Sequence, residues 1–393
     1  MKYSNYILKR KLEAILIAPF VLIGRILHLI KGHKNEYELY FFFPFYHLGG
    51  AEKIHLQIAQ IAKNKKAVIV FTRKSTNLGF LAAFKEIGID IEITCTYTNN
   101  DLLRLPLNLI ARGFYASRIN KDKATVFNGQ SNFGYKISPW INESLNQIEL
   151  IHSFNSFSWI RLPFISYYTK TVMISENKIE AHFKQYDQLE VPSKFKENIV
   201  YIPNAVDPLT IQIDKKWAYP LKIVYVGRGS EEKRIPSIVH IARKVKENKL
   251  PFEFELVGDV DDYITKDANK FLKIAGMINN KAILNSKYQS AHFIILLSST
   301  EGMPLVILEA MQNGCIPMVT NVGDLPFVIN KDNGFIMNND ESTIIQDTYH
   351  ILESIANTNF EQLNILSQNC LTTIEDKYSM QQFENNYKKL LLV

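Results

Sequence analysis

Short apolar runs separated by helical patterns organise most of this 393-residue chain. The stretch "EYELYFFFPFYHLGG" (36–50) opens with continuous aromatic and aliphatic residues, the pattern of a strand buried on both faces. A glycine pair follows, and then Ile54, Ile58 and Ile61 recur at helical spacing. The same alternation runs through "KAVIVFTR" (66–73), a helix and strand in "GFLAAFKEIGIDIEIT", "ATVFNG" (124–129), "IELIHSFNS" (148–156) and "KTVMISENK" (170–178). Repeated strand–helix units predict a parallel sheet with helices on both faces. "VYIPNAVDP" (200–208) reads as a proline-containing loop, after which the alternation restarts. The second set is "LKIVYVGRG" (221–229), the helix "IPSIVHIARKVKEN", and the strands "FEFELVGD", "LKIAGMI", "AHFIILLSS" and "IPMVTNVG". The expectation is two doubly wound α/β domains joined near residues 205–220. The closing "YSMQQFENNYKKLLLV" predicts one amphipathic helix.

Residues 1–34 stand apart from this pattern. "AILIAPFVLIGRILHLI" (14–30) is apolar but interrupted by Pro19, Gly24 and Arg25. A spanning helix needs about 20 apolar residues, so this one is marginal, and no small-residue cleavage site marks it as a signal peptide. Charge alters the picture. The chain's net charge is +6, and residues 1–34 hold seven Lys and Arg against Glu13, which accounts for the whole surplus. A basic apolar helix lying in an anionic membrane surface is the favoured expectation; a core helix and a membrane span are the alternatives. The rest of the chain is neutral, which argues against a nucleic-acid partner. Hydrophobic residues at 47% and charged residues at 21% suit globular domains. Cys95, Cys315 and Cys370 form no C-x-x-C pair, so neither a disulfide framework nor a zinc site is expected.

Ligands of such sheets bind at the carboxyl ends of the strands, and with two domains the natural place is the cleft between them. The informative residues do follow strands. "STEGMPLVILEAMQNG" (299–314) predicts a helix from about Met303 to Asn313, with Pro304 in its first turn and Gly314 as its cap. Its composition implies burial nearly all round. Glu309 inside it needs a partner, either a ligand hydroxyl or a protein group such as Arg228. Glu301 precedes Gly302, where free amides and the helix dipole favour a phosphate. The alternative without a ligand is that Glu309 is paired within the protein and Glu301 is an N-cap neighbour. In "VGRGSEEKR" (226–234), Arg228 and Lys233 fit a diphosphate, though a solvated turn with internal ion pairs fits too. Gly49 and Gly50 follow the first strand and allow close backbone approach to a ligand. His152 ends another strand; it is either beside a reacting centre or bonded to neighbouring backbone. No G-x-G-x-x-G or G-x-x-x-x-G-K occurs, so dinucleotide and P-loop ATPase readings lose support. Asp259-x-Asp261 lacks further oxygen ligands, and no metal or other cofactor is expected.

Together these residues resemble the retaining glycosyltransferases of the GT-B fold, in particular glycosyltransferase family four. The resemblance covers about residues 37–393 and rests on Glu301 and Glu309 at E-x7-E spacing, on "IPNAVD", "VGR" with Lys233, "AGMI", "GGAE" and "IHSF". It implies an α/β GT-B architecture of two Rossmann-like domains facing a cleft. The corresponding segments are a membrane-associating helix (1–34), an acceptor-side domain (35–208), a nucleotide-sugar domain (209–378) and a C-terminal helix (379–393) crossing back to the first domain. The resemblance assigns Glu309 to the ribose hydroxyls and Glu301 to the donor sugar. Gly302, Met303, Pro304 and Leu305 would face sugar and diphosphate through the backbone. Arg228 and Lys233 would neutralise the leaving diphosphate, and Gly276, Met277 and Ile278 would lie against the base. Gly49 and Gly50 would close on the phosphate, with His152 near the donor sugar. Arg234 and Ala205 depart from the pattern, where glycine is common at both positions.

The function so implied is metal-independent, retaining transfer of a hexosyl group from a nucleotide sugar, with UDP the commonest base. The acceptor would be a glycan or a lipid-linked saccharide in bacterial capsule or lipopolysaccharide synthesis. The enzyme would be cytoplasmic and peripheral to the inner face of the plasma membrane. The alternatives are a GT-B epimerase or phosphorylase, or an inactive GT-B scaffold.

Overall fold

The computed structural model describes all residues except 1, 34, 99–103, 153–156, 210–212, 279 and 393. The chain divides into two compact units. One comprises Met1–Pro203 with Glu384–Val393, the other Asn204–Phe383. Residues 1–34 group with the first unit. Residues 210–212, within the expected joint, lie outside the described residues.

The first unit holds seven strands: β1 (Leu39–Phe43), β2 (Ala67–Phe71), β3 (Asp90–Ile93), β4 (Thr125–Asn128), β5 (Gln147–Ile151), β6 (Lys170–Met173) and β7 (Ile199–Tyr201). They form one parallel sheet in the order β3-β2-β1-β4-β5-β6-β7. Every residue of β1, β2 and β5 is buried, as continuous apolar runs require when helices cover both faces. The short strand β7 runs two residues into the stretch "VYIPNAVDP" (200–208) that its prolines mark as a loop.

The second unit repeats the plan with β8 (Leu221–Val226), β9 (Phe252–Val257), β10 (Lys273–Gly276), β11 (Phe293–Leu296), β12 (Ile316–Thr320) and β13 (Phe335–Met337). Its sheet is also parallel, in the order β10-β9-β8-β11-β12-β13. The strand order reverses between β1 and β4 in one sheet and between β8 and β11 in the other. Those are the points where helices leave to opposite faces and open a crevice at the carboxyl ends. The architecture is GT-B: two Rossmann-like sheets with a final helix, Met380–Leu391, that passes from one unit to the other. Its Glu384 onward belongs to the first unit, where Tyr387 is buried with its ring 6.2 Å from that of Phe127.

The first helix, Tyr3–Lys31, is 29 residues long, or about 43 Å at 1.5 Å per residue. It lies on the helix Leu105–Asp122 through a backbone-to-backbone crossing. A Cβ on Gly24 would come within 1.9 Å of the Ile110 carbonyl oxygen, and one on Gly113 within 1.9 Å of the Val21 carbonyl oxygen. Two glycines thus allow the close approach. The buried positions are Tyr3, Arg10, Val21, Gly24 and His28. Leu12, Ile15, Leu16, Leu22, Leu29 and Ile30 are exposed. The helix is long and apolar enough to cross a membrane, a property that core helices and signal sequences share. Much of its apolar surface is exposed.

Candidate active site

Lys233 and Glu301 meet at the reversal point of the second sheet. Lys233 belongs to the loop after β8, in the short turn Glu231–Lys233; Glu301 belongs to the loop after β11. Lys233 Nζ lies 2.5 Å from Glu301 Oε1, and the two side chains are only 17% and 10% exposed. The loops are tied by backbone as well. The Ser299 amide donates to the Glu232 carbonyl at 2.8 Å, and the Tyr225 hydroxyl donates to the Arg228 carbonyl at 2.8 Å. Burial pushes the Tyr225 phenol pKa up, and the nearby Glu301 and Glu232 add to that, so it stays a neutral donor.

Glu301 is held from behind by "NVGD". A Cβ on Gly323, whose φ is +58°, would lie 2.4 Å from the Glu301 carbonyl oxygen. The Asp324 amide donates to the Gly302 carbonyl at 3.0 Å. Asn339 fixes the same loop by donating to the Ser299 carbonyl at 3.0 Å while accepting from Arg234 at 2.6 Å. Gly323, Asp324 and Asn339 were not singled out in the sequence. The signal for Gly323 was its place in the loop that follows β12. Asn339 carried none. Arg234, which departs from the family pattern, adopts a left-handed backbone with φ of 50°. That conformation explains the preference for glycine there.

The helix beyond Glu301 is Leu305–Gln312, with Pro304 at its cap position, so it begins two residues later than expected. Gly314 follows it in a left-handed conformation with φ of +70°, as a C-terminal cap should. The helix is not buried all round. Ile307, Leu308, Ala310 and Met311 are buried, whereas Leu305, Val306, Glu309 and Gln312 are half-buried. Glu309 is therefore not a carboxylate enclosed in the core. It accepts a long bond from the Tyr288 hydroxyl at 3.4 Å. The amides of Leu305 and Val306 belong to the first turn, where no preceding turn supplies acceptors.

Arg228 differs most from expectation. Its side chain is 78% exposed and pairs with Glu232 at 3.5 Å rather than with Glu309. It sits on a tight loop, because a Cβ on Gly258 would meet the Gly227 carbonyl at 1.9 Å. The Gly258 amide donates to the Gly276 carbonyl at 2.8 Å, which brings the Gly276–Ile278 loop beside the loop after β9. Met277 there is exposed. Asp259 uses its carbonyl to accept from the Gly229 amide at 2.5 Å. Among the described residues no three His, Cys, Asp or Glu side chains are grouped as a metal site needs.

The first unit brings its own candidates together. Gly49 precedes the helix Gly50–Ile61 and accepts from the Lys53 amide. A Cβ on Gly49 would collide with Glu52 Oε2 at 2.1 Å. Glu52 also faces His47, with Nε2 3.5 Å from Oε1. His152, one residue past β5, places Nε2 3.0 Å from His55 Nε2, and its amide donates to Gln130 Oε1 at 3.3 Å. His55 sits on the Gly50–Ile61 helix and stacks on Phe43 with ring centroids 4.3 Å apart. One imidazole must donate and the other accept, so the accepting ring is neutral, and the bond is satisfied with both rings neutral. Burial favours that state, lowering His152 to about 4 and His55 well below its ordinary value. His55 was missed because it falls among the apolar positions of its helix. Residues 153–156, which complete the histidine motif, lie outside the described residues.

Residues 220–354 match the family described as "Glycosyl transferases group 1". The fold is also that of several solved GT-B structures. HepE of Anabaena, solved in complex with UDP, is 15% identical with a TM-score of 0.69, covering 90% of this chain and 99% of that one. The apo form of the lipopolysaccharide outer core galactosyltransferase WaaB is 16% identical with a TM-score of 0.66, covering 90% and 99%. A glycosyltransferase from Rickettsia africae is 16% identical with a TM-score of 0.63, covering 91% and 99%. A comparison with curated protein sequences finds no match. The second unit thus carries a glycosyl transferases group 1 domain on a GT-B fold.

Proposed function

We propose that the protein is a retaining, metal-independent hexosyltransferase. It moves a sugar from a nucleoside diphosphate sugar, with UDP as the favoured base, to a glycan or lipid-linked acceptor of bacterial cell-surface polysaccharide. The single observation that carries this reading is the Lys233–Glu301 pair at the sheet's reversal point, ahead of a helix that presents Glu309 on its half-buried face. Support for the donor comes from the neighbours, since HepE was solved with UDP and with UDP-glucose. WaaB, a lipopolysaccharide galactosyltransferase by its description, supports the acceptor class.

The chemistry follows from the charges. As the bond between the anomeric carbon and the diphosphate breaks, negative charge grows on the diphosphate oxygens. Lys233 and the first-turn amides of Leu305 and Val306 neutralise it; Arg228, on an exposed stem, swings in as a second cation. Glu301 orients the donor sugar and keeps the Lys233 ammonium in place before the donor arrives. Glu309 accepts from the ribose hydroxyls. Fixed donors of this kind are worth about a hundredfold or more in rate each. The apolar first helix supports a position on the inner face of the plasma membrane.

A panel of nucleotide sugars, read first by thermal shift and then by product mass, tests the assignment. Stabilisation by UDP or its sugars but not by NAD or ATP is expected, together with a product one sugar heavier. A protein that binds no nucleotide sugar in the panel and yields no product would be the inactive scaffold instead.

A further inference from the structure

We propose that a cavity beneath the first helix binds the phosphate of an anionic phospholipid headgroup. The proposal deepens the membrane-surface reading of that helix and rests on it. The cavity has a volume of about 460 Å³ and is lined by Arg10, Lys11 and Ala14 of the helix, with Glu143, Gln147 and Ser166 among the residues opposite. This is the size of a small-ligand site. Gln147 begins β5 and Thr169, also lining it, precedes β6. The cavity is therefore at the amino ends of the strands, away from the carboxyl ends where His152 and the Gly49–Gly50 turn lie.

Arg10 is the reason to expect an anion. It is 4% exposed, and none of its three guanidinium nitrogens makes a hydrogen bond. Its contacts are the ring of Phe164, 5.2 Å below the guanidinium carbon, and a distant carboxylate, Glu13 Oε2 at 3.8 Å. A buried arginine normally satisfies its five donors. Here the fork is enclosed and unpartnered, in a side chain that forms part of the cavity wall. Arg112 stands close behind, fully buried, with one bond to Asn108 at 3.1 Å and an unpartnered Nη1. Burial lowers the pKa of Arg112 to about 10, Glu13 opposes that shift and Arg10 adds to it. Lys136 is in the same field, lowered by burial and then by Arg112, with Glu13 raising it and Arg10 lowering it. Glu13 is the carboxylate that opposes the shift at all three cations, and Glu143 lines the cavity opposite. A phosphate oxygen pair matches the fork of Arg10, and Lys11 supplies a second charge at the mouth.

The position of the cavity selects a lipid as the source. Ile15 and Leu16 follow Ala14 directly and are 71% and 76% exposed. A phosphate in the cavity therefore lies at the level of an apolar face fit for acyl chains, as a headgroup does beside an interfacial helix.

The test uses the full-length protein and vesicles of phosphatidylcholine with or without phosphatidylglycerol, read by flotation. It is run at low salt and at about 1 M salt, where the screening length falls to about 3 Å. Diffuse attraction vanishes there, so preference for phosphatidylglycerol that survives reports the cavity. The wild type and Lys2→Gln, which removes an exposed cation, are expected to keep a preference of at least about fivefold, the worth of one well-placed basic residue. Arg10→Gln and Arg10→Met are expected to lose it. Because Arg10 has no hydrogen bond to lose, Arg10→Met is expected to fold with an unchanged or higher Tm. Loss of preference by the wild type at high salt, or its retention by both Arg10 variants, overturns the site. Equal flotation with both vesicle types leaves the membrane reading standing and overturns the site alone; flotation with neither overturns both. A parallel arm adds inorganic phosphate. A thermal shift that needs Arg10, without any vesicle preference, assigns the cavity to a soluble phosphate and overturns the lipid source.

Discussion

Lys233 Nζ and Glu301 Oε1 lie 2.5 Å apart, although 68 positions separate the two residues in the chain. The parallel sheet produces this meeting, because β8 and β11 are neighbours and both release their loops at the same end. On the proposed function, an arriving diphosphate would compete with Glu301 for the ammonium and free the carboxylate to meet the sugar.

Lys233→Ala is therefore expected to lower kcat by about a hundredfold or more while the protein stays folded. It should also cost about 1–3 kcal/mol of stability, because Glu301 loses its charged partner in a mostly enclosed site. Glu301→Gln keeps a hydrogen bond to Lys233 and should cost less stability at a comparable loss of rate. Steady-state kinetics with a nucleotide sugar, alongside denaturant unfolding, checks both; near-normal kcat in Lys233→Ala removes the assigned role.

Much of this site was legible in the sequence, for identifiable reasons. Strands β8 and β11 announced themselves as apolar runs, and the loops after them carried the charges. Pro304 and Gly314 bracketed the helix to within two residues. What failed was inference about faces. Composition alone could not say that Glu309 looks outward from a helix that buries only Ile307, Leu308, Ala310 and Met311 on its other side. Side-chain pairing failed for the same reason, whether local or distant: Arg228 goes to Glu232 four positions on, and His55 reaches His152 across 97. The strands β7 and β13 have three residues each, too few for a period of two to register.

Acid should destabilise the first unit through its buried histidines. His152 and His182 are lowered to about 4 and His55 further, in each case mainly by burial. The unfolded chain takes up these protons near pH 6.5, whereas the folded one refuses them until far lower pH. Their neutral state thus stabilises the fold in full above pH 6.5, and the contribution is lost as pH falls from 6.5 toward 4. The slope is at most about 1.4 kcal/mol per pH unit for each histidine. Urea unfolding from pH 7.5 to 4.5 measures it, and His152→Phe should flatten the curve by one proton.

Lys215 should prove a stability residue of the second unit. It is buried, and its ammonium donates to the carbonyls of Tyr288 at 2.7 Å, Gln289 at 3.0 Å and Ala291. These are acceptors at the end of the helix Lys281–Ser290, where the backbone dipole favours a cation. Lys215→Met fills the space but removes the charged donor that these carbonyls share, leaving Tyr288 and Ala291 the weak Cys315 thiol. A loss of about 3 kcal/mol is expected, seen as a lower denaturation midpoint with an unchanged slope.

The crossing of the first helix offers the sharpest steric test. Gly24 and Gly113 meet backbone, not flexible side chains: the Ile110 carbonyl and the Val21 carbonyl, each 1.9 Å from the site of an added Cβ. Neither helix can yield locally, so Gly24→Leu must push the two axes apart. The buried chain of bonds beyond the crossing is then stretched. In it His28 joins Ser117 and His33 at 2.8 Å each, and His33 joins Asp122 at 2.7 Å. Separation removes the contacts that hold residues 3–31, while the sheet β3-β2-β1-β4-β5-β6-β7 keeps its own core. The expected result is rapid proteolytic loss of the N-terminal helix in Gly24→Leu, with nucleotide binding by the second unit unchanged. Exposed Leu29→Ala should cleave no faster than wild type. Equal protease resistance in Gly24→Leu would mean that the helix is not held by this crossing.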